Sequence, residues 1–115
     1  MKMQLILACL IAVLNWPTLA EETQVHWIDV RSASEYHSGH VPGALNIEFG
    51  DIVAGVSQRG IPEDARIYLY CGSGKRAGIA LESLQQAGYT AVENVGGIAD
   101  ALTRFEGMDQ PGSAD

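Results

Sequence analysis

Hydrophobic and polar positions alternate along the chain in two different periods. Residues 24 to 31 (Q-V-H-W-I-D-V-R) are rich in β-branched and aromatic side chains and predict a strand. Residues 66 to 70 (R-I-Y-L-Y) form the strongest such run, residues 91 to 95 another, and residues 44 to 47 a short buried one. Helical signals fall between them. Ser32 and Glu35 have capping-box spacing and predict a short helix that Gly39 ends. Residues 51 to 56 predict a weak helix interrupted by Gly55. Ala77, Ala80, Leu81, Leu84 and Ala87 share one face of a helix over 76 to 87, closed by Gly88. A last helix is expected from about residue 98 to 105. His40-Val41-Pro42-Gly43 reads as a turn and residues 60 to 64 as a loop.

Strands alternating with helices imply an α/β fold: a central, mostly parallel sheet, here expected to have about five strands, flanked by helices on both faces. Such sheets bind ligands at the carboxyl ends of their strands. Cys71 stands at the carboxyl end of the strongest strand, directly before a helix.

Residues 1 to 20 follow a different pattern. Lys2 precedes an apolar run over residues 5 to 14, Asn15-Trp16-Pro17 breaks it, and Thr18-Leu19-Ala20 supplies small residues at a cleavage point. This is the layout of a cleaved secretory signal peptide. The run is shorter than the roughly 20 residues that span a bilayer. Ile6-Leu7-Ala8-Cys9 resembles a lipobox, but the apolar run continues past Cys9, so no lipid anchor is expected. The expected organisation is a signal peptide over 1–20, one domain over 21–110 and a flexible tail over 111–115, with export to the periplasm. Removal of the signal takes Cys9 with it and leaves Cys71 as the only thiol. One cysteine cannot form an internal bridge, so in an exported protein it is paired with another molecule or kept for reactivity.

The chain has 115 residues, 47% hydrophobic and 18% charged, which suits one globular domain. Its formal charge is −7, and loss of Lys2 makes the exported form one unit more negative. A general nucleic-acid binder needs a basic face, so that class is excluded, and no polybasic patch points to a membrane.

The candidate chemistry lies in Cys71-Gly72-Ser73-Gly74-Lys75-Arg76. A Gly-rich turn entering a helix can turn its N–H groups inward around an anion, and the helix N-terminus adds partial positive charge. Lys75 and Arg76 add full charges. These features favour the thiolate and predict a Cys71 pKa below the free value of about 8.5, at the mouth of a pocket lined with amide hydrogens. His37 and His40 lack further ligands, so no metal is expected, and no cofactor.

The order of W-I-D-V-R (Trp27 to Arg31), G-H-V-P-G-A-L-N-I (Gly39 to Ile47), C-x4-R (Cys71 to Arg76), A-G-Y (Ala87 to Tyr89) and V-E-N-V-G-G (Val92 to Gly97) resembles the single-domain rhodaneses. The similarity is to the small periplasmic type associated with the phage-shock response. The resemblance implies a rhodanese-like fold and sulfur transfer through a persulfide on Cys71, cradled by Gly72 to Arg76. It also implies scaffold roles for Asp29, Arg31, Glu35 and His40, with Arg31 pairing Glu35 to lock the first crossover. A tryptophan common in the family after the Gly-Gly pair is absent here, which predicts a more loosely packed last helix.

Related Cys…Arg phosphatases and arsenate reductases use C-x5-R, and the tighter C-x4-R loop suits one extra sulfur better than a phosphoryl group. The expected donor is thiosulfate, the expected acceptor cyanide or a thiol, and the expected state a monomer. Alternatives are a persulfide carrier serving a specific thiol partner and a non-catalytic module that binds an anion or a protein.

Overall fold

All strands described in the computed structural model run in one direction. The structure describes residues 24–109, so the expected signal peptide and tail lie outside the described residues. β1 (Val25–Asp29), β2 (Leu45–Asn46), β3 (Arg66–Cys71) and β4 (Ala91–Gly97) form one parallel sheet in the order β2-β1-β3-β4. The expected five strands are therefore four among the described residues. No further β-patterned run exists there: the remaining elements are helical. They are α1 (Ala33–His37), a 3-10 turn (Phe49–Asp51), α2 (Ile52–Gln58), α3 (Lys75–Gln86) and α4 (Ile98–Asp109).

β3 is central, paired with β1 and β4, and its residues from Ile67 to Cys71 are all buried. Side chains alternate across it. Ile67, Leu69 and Cys71 join one core with Ala80 and Leu84 of α3 and Val56 of α2. Tyr68 and Tyr70 join the other with Trp27 and with Ala101 of α4. Helices thus cover both faces, as parallel pairing requires. Each fully buried Ile or Leu contributes about 1.5–3 kcal/mol to holding the layers together.

Several boundaries moved for identifiable reasons. The capping box is formed, with the Glu35 N–H donating to Ser32 Oγ at 3.3 Å and the Ser32 N–H to Glu35 Oε1 at 3.0 Å. Gly55 does not interrupt α2. A Cβ there would meet Ile47 Cγ2 at 2.5 Å, so glycine is what lets the helix rest on the chain after β2. Gly96 and Gly97 belong to β4 rather than to a following loop. α4 runs past residue 105 to Asp109. Nor is it loose for want of a tryptophan: Trp27 meets Phe105 edge-on at 5.8 Å and Tyr68 at 5.0 Å, and Ala101 is fully buried.

Candidate active site

β3 ends at Cys71, and its alternation turns the sulfur toward the α3 side of the sheet. Gly72, Ser73 and Gly74 carry the chain into α3, with Gly74 as the N-cap residue at φ 98°. That left-handed conformation excludes most side chains. It also aims the Gly74 N–H at Cys71 Sγ, 3.0 Å away. Burial pushes the Cys71 thiol up, but the backbone N–H groups of Ala77, Ser73, Gly74 and Arg76 more than offset it. The net result is a thiol below its ordinary value, as the loop sequence predicts.

The sulfur is not at the mouth of a pocket. Cys71 has 0% of its surface exposed, which corrects that expectation. The cause is its place at the end of the buried central strand, with the side chain in the core on the α3 side and the loop closing over it as the Gly74 N–H bonds the sulfur. The cover is thin, since Gly72, Ser73 and Lys75 are exposed. A groove of mixed polarity, lined by Gln24, His26, Trp27, Pro42, Leu45 and Phe105, opens instead near the amino end of β1.

Arg76 and Glu35 form an ion pair, with Nη1 to Oε1 at 2.9 Å and Nη2 to Oε2 at 3.2 Å. The Arg76 guanidinium, then the Ser32 N–H and hydroxyl, hold the Glu35 carboxyl down at about 2. Arg76 is itself raised, first by Glu35 and further by the Cys71 sulfur. A Cβ on Gly72 would lie 3.3 Å from Arg76 Nη2, so the guanidinium lies across the start of the loop. The expected Arg31–Glu35 pair is not formed. Arg31 turns back to Asp29, with Nη2 to Oδ2 at 2.7 Å, and donates to the Gly39 carbonyl at 2.6 Å. Both partners are buried, and only Val30 stands between them, so the pair closes locally at the end of β1. That leaves Glu35 free to reach the cysteine loop. His40 is stacked on Tyr36 at 3.6 Å with Nδ1 against the Tyr36 carbonyl at 2.8 Å. Asp29 and Arg31 close on each other and on Gly39, His40 packs on Tyr36, and Glu35 connects α1 to the cysteine loop through Arg76.

Sequence reasoning assigned no role to Asn94, Gly96, Gly97 or Asp100, all of which buttress the loop. A Cβ on Gly97 would meet the Gly72 carbonyl oxygen at 2.5 Å, and one on Gly74 would meet Gly96 Cα at 3.2 Å. Asn94 bonds both the Gly74 carbonyl and the Gly96 N–H, and the Gly97 N–H donates to Asp100 Oδ2 at 3.0 Å. The signal was present in V-E-N-V-G-G: adjacent glycines at a strand end mark a close backbone approach.

A parallel sheet that presents an amide-cradled cysteine at the head of a C-x4-R loop defines a rhodanese domain. The chain belongs to the rhodanese-like domain family, whose model matches residues 17–101. It is 36% identical over 102 residues to the thiosulfate sulfurtransferase PspE of Escherichia coli K12, covering 88% of this chain and 95% of that protein. It is 37% identical over 81 residues to a sulfurtransferase of Allochromatium vinosum, covering 70% and 74% of the two chains. A putative sulfur carrier protein, YrkF of Bacillus subtilis, is 32% identical over 68 residues, 59% of this chain and 36% of that one. Among solved structures, a rhodanese with anions from E. coli superposes with a TM-score of 0.64 at 38% identity, covering 67% of this chain and 91% of that one. The family and these relatives support sulfur transfer as the chemistry of the domain.

Proposed function

We propose that the protein is a thiosulfate sulfurtransferase working through a persulfide on Cys71. The Cys71 thiolate attacks the sulfane sulfur of thiosulfate; a new S–S bond forms, the old one breaks, and sulfite leaves with the bonding pair. Cyanide or a thiolate acceptor then attacks the outer sulfur, taking it as thiocyanate or a new persulfide and returning the thiolate. This is covalent catalysis with ping-pong kinetics. The observation that carries the reading is the convergence of backbone N–H groups on Cys71 Sγ, with the Gly74 N–H at 3.0 Å. The same donors favour the starting thiolate and the returning one. Lys75 and Arg76 supply local positive charge to an anion that an acidic chain otherwise repels. The loop covers the sulfur, so entry of the donor requires Gly72, Ser73 or the Arg76 side chain to move.

Export to the periplasm through residues 1–20, and action there as a monomer without metal or cofactor, complete the proposal. No helix among the described residues is long and apolar enough to cross a membrane.

The test is a thiosulfate–cyanide assay beside Cys71→Ser, with mass spectrometry of the protein after thiosulfate alone. Turnover lost in Cys71→Ser, and a gain of about 32 Da on Cys71, are expected. Turnover that survives in Cys71→Ser, or a Cys71 that gains no mass and resists alkylation, overturns the reading. A carrier role has support in the similarity to YrkF. Persulfide formation with slow cyanide turnover and fast delivery to one thiol protein would select it.

A further inference from the structure

We propose that Asn94 is a positioning residue for the Cys71 nucleophile: anchored on the Gly96 N–H, its side-chain amide holds the Gly74 carbonyl so that the Gly74 N–H points at the sulfur. The role begins with a register slip. Leu69 pairs with Asn94 but Tyr70 pairs with Gly96, so Val95 is the extra residue of a bulge between β3 and β4. Bulges re-aim side chains, and this one sets Asn94 against the cysteine loop.

Asn94 Oδ1 accepts from the Gly96 N–H at 2.9 Å, and Asn94 Nδ2 donates to the Gly74 carbonyl at 2.9 Å. The two partners fix the amide's orientation. A flip would set oxygen against oxygen and N–H against N–H. The Gly74 carbonyl also accepts the first bond of α3, from the Gly78 N–H at 3.0 Å. Gly74 is therefore held from its carbonyl side while its N–H reaches Sγ at 3.0 Å.

A glycine at φ 98° has wide conformational freedom and does not keep such an aim unaided. Asn94 has no bond to the sulfur and acts only through Gly74. The charged groups of the neighbouring elements are Lys75 and Arg76 at the start of α3, Glu35 of α1 paired with Arg76, Asp100 of α4 on the Gly97 N–H, and the Asp29–Arg31 pair, which lies with Tyr70 on the other face of the sheet. Asn94→Ala leaves all of them in place, so a change in Cys71 ionisation reports the Gly74 amide.

The assignment deepens the sulfur-transfer reading, and its activity arm rests on that reading; its titration arm does not. The experiment uses the full chain carrying Cys9→Ser, so that Cys71 is the only thiol. Thiolate absorbance and alkylation rate are followed against pH, beside thermal unfolding. In Asn94→Ala the thiolate midpoint moves to higher pH. kcat/KM for thiosulfate at neutral pH falls about tenfold, the effect of one bond to a charged atom, and is regained at alkaline pH. A folded Asn94→Ala with an unmoved midpoint overturns the assignment, whatever its Tm, because a merely structural residue lowers Tm alone.

If Asn94→Ala does not fold, Asn94→Ser decides. It keeps a hydroxyl able to accept from the Gly96 N–H, adds no charge, and is too short to hold the Gly74 carbonyl as well. A raised midpoint supports the assignment and an unmoved one overturns it. A raised midpoint in a protein that fails the thiosulfate–cyanide assay supports the role of Asn94 and counts against sulfur transfer from thiosulfate alone.

Discussion

Gly97→Ala adds one methyl group where two backbones meet. Gly97 pairs with Cys71 across the sheet, and its Cβ would lie 2.5 Å from the Gly72 carbonyl oxygen and 3.6 Å from Ser73 Cα. Close carbon–oxygen contacts settle near 3.3 Å, so the two segments must part by roughly 0.8 Å. No flexible side chain can absorb this. β4 is pinned to β3 by the ladder and by Asp100 on the Gly97 N–H, so the cysteine loop is what yields. Overpacking of this kind costs about 1–3 kcal/mol of stability. The same displacement lengthens the 3.0 Å bond from the Gly74 N–H to Sγ. Loss of one bond to an ionised atom, at about 1.5 kcal/mol, lowers kcat/KM roughly tenfold. Urea unfolding and steady-state kinetics with thiosulfate and cyanide, measured across pH, separate the two effects. Stability should fall at every pH where the protein folds, while the activity deficit should shrink as the thiol ionises fully. A variant with stability within about 0.5 kcal/mol of wild type and an unchanged pH profile would refute the claim that backbone contact with β4 sets the loop.

Arg76→Ala should raise KM for thiosulfate about tenfold and weaken its salt dependence, because a charge-assisted contact to the donor is lost; equal KM values would show that the guanidinium does not hold the anion. Glu35→Gln should lower KM, since Arg76 keeps an oxygen to rest on and loses a competing negative charge; a raised KM would mean that the carboxylate's grip matters more than its charge. The Glu35 carboxyl is held at about 2 against 4.5, so its contribution to stability is full above 4.5 and is lost as pH falls toward 2. Acid titrations of unfolding should therefore lose that component in Glu35→Gln, and superimposable curves would contradict it. Arg31→Ala leaves the Asp29 carboxylate buried and unpaired and should cost about 3–5 kcal/mol in urea unfolding; a loss below 1 kcal/mol would show that Gly39 and the β1 end hold without the pair.

The strand–helix alternation was legible because β1, β3 and α3 each repeat one period over enough residues to be read locally. The loop was legible for the same reason: Cys71, its glycines and Arg76 are contiguous. What was not legible depends on distance. Arg31 had two carboxylates within reach along the chain, and only the fold shows that Asp29 is buried beside it while Glu35 turns to a partner 41 positions away. Gly55 looked like a helix breaker because the approach of Ile47 is tertiary. Asn94 was quoted within a motif, but a bulge that shifts register by one residue has no local signature, so its side chain had no assigned direction. The burial of Cys71 was missed for a related reason. Spacing tells which amides can reach the sulfur, not that reaching it closes the loop.

That closure bears on how a dianion approaches an acidic protein. Arg76, the one full charge lying across the loop, is already paired with Glu35 where both side chains are about one-third to two-fifths exposed. A pair that exposed is screened by solvent, so its pH-dependent contribution to stability is small and the guanidinium is open to exchange. An incoming sulfonate can therefore take the guanidinium from Glu35 without stranding a buried charge, and Glu35 retains the Ser32 N–H and hydroxyl as donors. The exchange moves the side chain whose guanidinium lies across Gly72 at the start of the loop. In the proposed mechanism, recognition of the donor and uncovering of the nucleophile are then a single event, and the absence of exposed surface on Cys71 is no bar to its reacting.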